Sequence, residues 1–124
     1  MRVMSLIATL TLSIASVAFA ADKHDDHTPK RGGIVVEVKD IDYELVAKPD
    51  RIQLYISNHG KSIDISKASA KITLLVGTVT QTVELKVAGE KFEATGKFNV
   101  PAGAKVVAQV NVGGKSSTAR FVLK

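Results

Sequence analysis

From Gly33 to Leu123 apolar and polar residues alternate with a period of two, and the alternation breaks and restarts at closely spaced turn signals. Successive side chains of a strand point to opposite faces, so only strands turn that period into one apolar face and one wet face. Ile34, Val36 and Val38 share a face, and Ile41, Tyr43, Leu45 and Ala47 share the next, with Asp42, Glu44 and Lys48 opposite. Ile52, Leu54 and Ile56 follow the Pro49-Asp50 break, up to a turn at Asn58-His59-Gly60-Lys61 where Asn or Gly can take positive φ. After a crossing segment at 63–68 come Ala70, Ile72, Leu74 and Val76, then Val83, Leu85 and Val87. Phe92, Ala94, Gly96 and Phe98 precede Pro101-Ala102-Gly103, Val106, Ala108, Val110 and Val112 precede Gly113-Gly114, and Ala119, Phe121 and Leu123 finish the pattern. No stretch repeats apolar residues at i, i+3, i+4 and i+7 over the length of a helix. The predicted fold is therefore all-β: an antiparallel immunoglobulin-like β-sandwich of about seven to eight strands, with a closed barrel as the alternative.

The amino terminus has a different composition. Arg2, an apolar run from Leu6 to Ile14 and the small-x-small pattern Ala18-Phe19-Ala20 describe a secretory signal peptide over residues 1–20. Ser5, Thr9, Thr11, Ser13 and Ser16 interrupt that run, which is too short and too polar for a transmembrane anchor. Residues 21–31 contain no large apolar side chain and read as a flexible polar leader, and residues 32–124 as the single β-sandwich domain. The expected location is the periplasm.

Export also shapes the chemistry. The chain has no cysteine, and its two methionines, Met1 and Met4, leave with the signal peptide, so thiolate and thioether metal sites are excluded and the fold must rest on core packing. The formal charge of +5 falls by one when Arg2 is removed. The lysines are scattered along strands rather than gathered beside aromatic residues, which argues against a nucleic-acid partner.

Catalysis finds no constellation in the sequence. There is no cysteine nucleophile, the serines fall in turns or on exposed strand positions, and no general base sits on a rigid element beside them, so the chain is predicted not to be an enzyme. Metal chemistry has better candidates. His24, Asp25, Asp26 and His27 place two imidazoles and two carboxylates in four consecutive residues, a donor set suited to Cu(II) or Zn(II), and His59 in its turn is a further candidate ligand. The blander reading of the first four is a solvated polar leader, and of His59 a plain turn residue. A tight amino-terminal copper site needs histidine third in the mature chain; cleavage after Ala20 makes His24 fourth.

The segments Gly32-Gly33-Ile34-Val35-Val36-Glu37-Val38, Tyr43-Glu44-Leu45-Val46, Leu54-Tyr55-Ile56, Asn58-His59-Gly60-Lys61 and Ala119-Arg120-Phe121 resemble the small exported immunoglobulin-like domains of the YtkA type, and similar segments of periplasmic adaptor subunits of heavy-metal efflux pumps. In those relatives a histidine precedes the two glycines. Arg31 stands there in this chain, and a permanent guanidinium cation cannot ligate a metal, whereas the turn histidine is kept as His59. The resemblance implies a periplasmic accessory protein of metal homeostasis or heavy-metal efflux, with an envelope or efflux-pump protein as partner. From a different functional class, the alternative is a non-catalytic interaction module that docks on such a partner without metal.

Overall fold

The computed structural model describes residues 28–124; the signal-peptide region 1–20 and the candidate ligands His24, Asp25, Asp26 and His27 lie outside them. The described residues form nine strands: β1 (Ile34–Val38), β2 (Ile41–Lys48), β3 (Arg51–Asn58), β4 (Lys61–Ser62), β5 (Ser69–Val76), β6 (Val79–Ala88), β7 (Lys91–Thr95), β8 (Lys105–Val112) and β9 (Lys115–Val122). Among them there is no helix, and every pairing is antiparallel. The all-β antiparallel fold read from the alternation is the fold observed. The ninth strand is the two-residue β4, too short for any period to register.

Hydrogen-bonded order runs β1-β2-β3-β7-β6-β5-β8-β9, with β4 on β3. Strand β6 joins two layers. Its last residues, Lys86 to Ala88, pair with β7, while Val79 to Leu85 pair with β5, so one long strand leaves one sheet and enters the other. The first sheet holds β1, β2, β3 and β7, and the second β5, β8, β9 and the start of β6. Residues 63–68 and 96–104 also cross between the layers, giving pairings β3·β7 and β5·β8 that skip in sequence, as in Greek-key sandwiches. Strand β1 packs close to β9, which nearly closes the structure into a barrel.

The inner faces carry the alternating apolar residues. Ile52, Leu54, Ile72, Phe92, Val106 and Ala108 are completely buried. Burial of each large side chain stabilises the fold by about 1.5–3 kcal/mol, which is how the domain holds without disulfides. The crossing at 63–68 is pinned by Ile65, buried in the core, while Ala68 N–H donates to the Ile65 carbonyl (2.9 Å) to close a turn. Gly33 permits one close approach: a Cβ there would overlap the Leu45 carbonyl, so only glycine lets β1 start against β2.

At one end of the first sheet two tight hairpin turns stand side by side. Lys39 and Asp40 both take positive φ (51° and 67°), and so do His59 and Gly60 (49° and 80°). Lys39, Asp40 and His59 are the non-glycine residues with positive φ among the described residues. Left-handed backbone is the geometry that two-residue hairpins require, because its twist matches that of the flanking strands. The turn read from Asn58-His59-Gly60-Lys61 is present, but His59 rather than Asn58 takes the left-handed conformation, since Asn58 remains in β3 paired with Ile41.

Candidate functional site

Period-two logic puts Glu44 on the solvent side of β2, yet it is 5% exposed. The cover is the segment just before β1, which runs over the outer face of the first sheet. Glu44 Oε2 accepts from the backbone N–H of Arg31 (2.8 Å) and Gly33 (3.1 Å), and Oε1 from Lys30 N–H (3.1 Å). The Arg31 guanidinium lies 3.4 Å from Oε1 and stacks on the Tyr55 ring, 3.8 Å from its centroid. Tyr55 is directly across from Glu44 in the β2–β3 register, so one cross-strand pair supplies both the acceptor and the aromatic shelf. A buried carboxylate is tolerated only when its lone pairs are filled, and here three amides and a guanidinium fill them. The last residues of the polar leader, Lys30 and Arg31, are thereby fastened to the sheet.

That attachment fixes where the described part of the leader lies relative to His59. A small cleft beside Glu44 is lined by Thr28, Lys30, Arg31, Asp42, Tyr55 and Ser57. The Lys30 ammonium sits 3.7 Å from the Cβ position of Gly60, so the root of the leader lies against the His59-Gly60 turn. His59 is exposed. The β2–β3 ladder ends at Ile41↔Asn58, and Asp40 and His59 are the residues next to that last pair, so a carboxylate and an imidazole stand on neighbouring turns. Among the described residues no three His, Cys, Asp or Glu side chains gather where a metal ion could sit. His59 and Asp40 therefore offer at most a partial donor set among the described residues; His24, Asp25, Asp26 and His27 lie outside them. Sequence reading missed both Asp40 and the role of Glu44; the only signal for Asp40 was its place in a Lys39-Asp40 hairpin turn.

A larger open groove lies on the outer face of the second sheet, lined by Ser69, Lys71, Glu84, Gln109, Asn111 and Thr118 among others. It is polar and has no aromatic floor. Elsewhere, Asp64 caps the 63–68 crossing by accepting from Ser66 N–H (3.0 Å). That backbone hydrogen bond, with a second from the Ser66 side chain, holds its carboxyl below the usual carboxylate range.

No family model matches the chain, and no curated protein matches it in sequence. Among solved structures, a bromine derivative of BhCBM56, a carbohydrate-binding module, is similar at a TM-score of 0.43 and 8% identity, covering 71% of this chain and 97% of that one. A likeness of that size transfers neither topology nor ligand.

Proposed function

We propose that the protein is an exported, non-catalytic accessory protein of metal homeostasis or heavy-metal efflux that binds Cu(II) or Zn(II) weakly where its leader meets the His59 turn. The observation that carries the reading is the anchoring of Lys30, Arg31 and Gly33 on Glu44, with Lys30 against Gly60. Three residues of chain span at most about 10 Å, so chain length allows His27 to reach the His59 turn, and three residues more allow His24 to do the same. His24, Asp25, Asp26, His27, Asp40 and His59 then make a mixed imidazole and carboxylate set of the kind that suits these ions. The neighbouring Lys30 ammonium opposes a bound cation and keeps the affinity low.

Calorimetric titration with Cu(II) and Zn(II) tests this. A dissociation constant between about 1 and 100 μM is expected, weakened at least about tenfold by His59→Ala and by His24→Ala/His27→Ala. Glu44→Gln, which removes no ligand but loosens the anchor, should also weaken binding. No measurable binding, or binding indifferent to these three changes, refutes the reading. The open polar groove on the second sheet favours a second reading, a docking module for an envelope partner that needs no metal. Partner association that survives chelation and is lost on Lys71→Glu/Gln109→Ala would favour that one.

A further inference from the structure

Strand β6 is hydrogen-bonded to β5 along Val79 to Leu85, but its other edge meets β7 only from Lys86 onward. Among the described residues no strand pairs with that edge over Val79–Leu85. The chain that continues from β7 turns away from it: Gly96 N–H donates to the Asp50 carbonyl (3.1 Å) and Phe98 N–H to the Pro49 carbonyl (2.8 Å). The Gln81 side chain reaches across to that chain, donating to the Lys97 carbonyl (3.3 Å).

An open edge of this kind is normally blunted by lysine, proline or a bulge. Along Val79–Leu85 the strand itself has none of these, and Lys97 meets it through its backbone carbonyl. From Ile72 to Val83 the β5–β6 hairpin contains no charged residue, while β5 and β6 pair without a break in register from Ala70↔Leu85 to Val76↔Val79. Thr80, Gln81 and Thr82 are exposed, and Val79 is 68% exposed.

The sequence along the edge reads the same in both directions. Val79-Thr80-Gln81-Thr82-Val83 is a palindrome centred on Gln81. Two antiparallel copies related by a two-fold axis at Gln81 would set Thr80 against Thr82, Val79 against Val83 and Gln81 against itself. Residues directly opposite in an antiparallel pair lie on the same face, so each match joins like with like. One step further out Glu84 meets Thr78, so no like charges face each other in the paired window. Val79, exposed in the single chain, would be covered by its partner's strand.

We propose that the free edge of β6 is a self-association surface: two copies of this chain pair antiparallel through Val79 to Val83, joining their second sheets into one continuous sheet across a two-fold axis at Gln81. The occupant favoured by the palindrome is a second copy, since an unrelated strand would gain nothing from that symmetry. This does not depend on the metal reading, because the pairing edge and the His59 turn belong to different sheets.

Sedimentation velocity of the purified protein from about 10 μM to about 1 mM tests it. A concentration-dependent shift from monomer to dimer is expected, without larger species, because one edge per chain closes the assembly. Gln81→Lys, which sets lysine against lysine at the axis, and Thr82→Lys should each weaken the dimer at least about tenfold, with the circular dichroism spectrum unchanged because both positions are exposed. Ser116→Lys, on β9 away from this edge, should leave it intact. The absence of cysteine allows a register test by disulfide formation, which reaches only directly opposed pairs: Gln81→Cys should oxidise to a disulfide with its own copy, and Thr80→Cys much faster when mixed with Thr82→Cys than alone. A protein monomeric throughout the range, a dimer indifferent to both lysine variants, or cross-links in another register would overturn the proposal; the first would leave the edge to a strand from another protein.

Discussion

Replacing Glu44 by glutamine changes one atom and should undo the amino-terminal attachment while leaving the sandwich standing. Glu44 accepts from three backbone amides at 2.8–3.1 Å. Hydrogen bonds to a charged group contribute about 1.5–3 kcal/mol each. Against them stands the ordering of Lys30 to Gly33, at about 1–2 kcal/mol per residue. The two totals nearly cancel, so the attachment is marginal and cannot absorb the loss of half its acceptor. In Glu44→Gln one oxygen becomes an NH₂ group that faces amide donors, and the Arg31 contact loses its charge partner. The expected outcome is a small global destabilisation, no more than about 1 kcal/mol, with Tm falling by about 4–8 °C per kcal/mol for a domain this size. The local signature is sharper. Amide hydrogen exchange at Lys30, Arg31 and Gly33 should become fast, while the β2–β3 ladder keeps its protection. Unchanged exchange at those three amides would refute the view that Glu44 holds the segment, and equal loss across β2 and β3 would show that it supports the core instead.

Three further outcomes can be checked directly. Gly33→Ala forces a methyl against the Leu45 carbonyl and within 3.0 Å of Val46 Cγ2, and should cost about 1–3 kcal/mol in urea unfolding; a neutral result would mean β1 shifts freely. His59→Gly removes an imidazole but relieves left-handed strain at φ 49°, so stability should rise by about 1 kcal/mol while metal affinity falls, and a drop in Tm would contradict the turn geometry. Asp64 has its carboxyl held down by the Ser66 amide first and the Ser66 side chain second, so its contribution is present above the unfolded-state pKa and lost as pH falls through the lower folded value. Carboxyl NMR should show it titrating below the usual aspartate range, and a normal or raised value would remove the cap.

Much of the fold was legible because alternation and turn chemistry are local. Tyr43, Leu45, Ile52, Leu54, Ile72, Leu74, Val106 and Phe121, each on the apolar beat, are all buried. Glu44 was misplaced because the rule assumes that the outer face of a strand meets water, and its partners are backbone amides, which have no letter in the sequence. The double membership of β6 was equally hidden: nothing in its alternation marks where Leu85 leaves one sheet and Lys86 joins the other. Lysines scattered along strands can protect sheet edges. Their distribution does not serve that purpose on β6, where none falls between Lys71 and Lys86. At the candidate site the histidine turn was legible, but its neighbour Asp40 and the nearby Lys30 depend on pairings that only the folded sheet makes.

The segment fastened by Glu44 also fixes how the molecule can be held. It approaches from the end bearing the His59 turn, whereas Leu123 is bound between Gly103 and Ala104 at the opposite end. A support grafted ahead of Thr28 would press the two hairpin turns toward itself and leave the 49–50, 77–78 and 96–103 loops pointing outward. A support grafted after Lys124 would reverse the presentation. The choice of grafting end therefore selects which set of loops an immobilised copy shows to its surroundings.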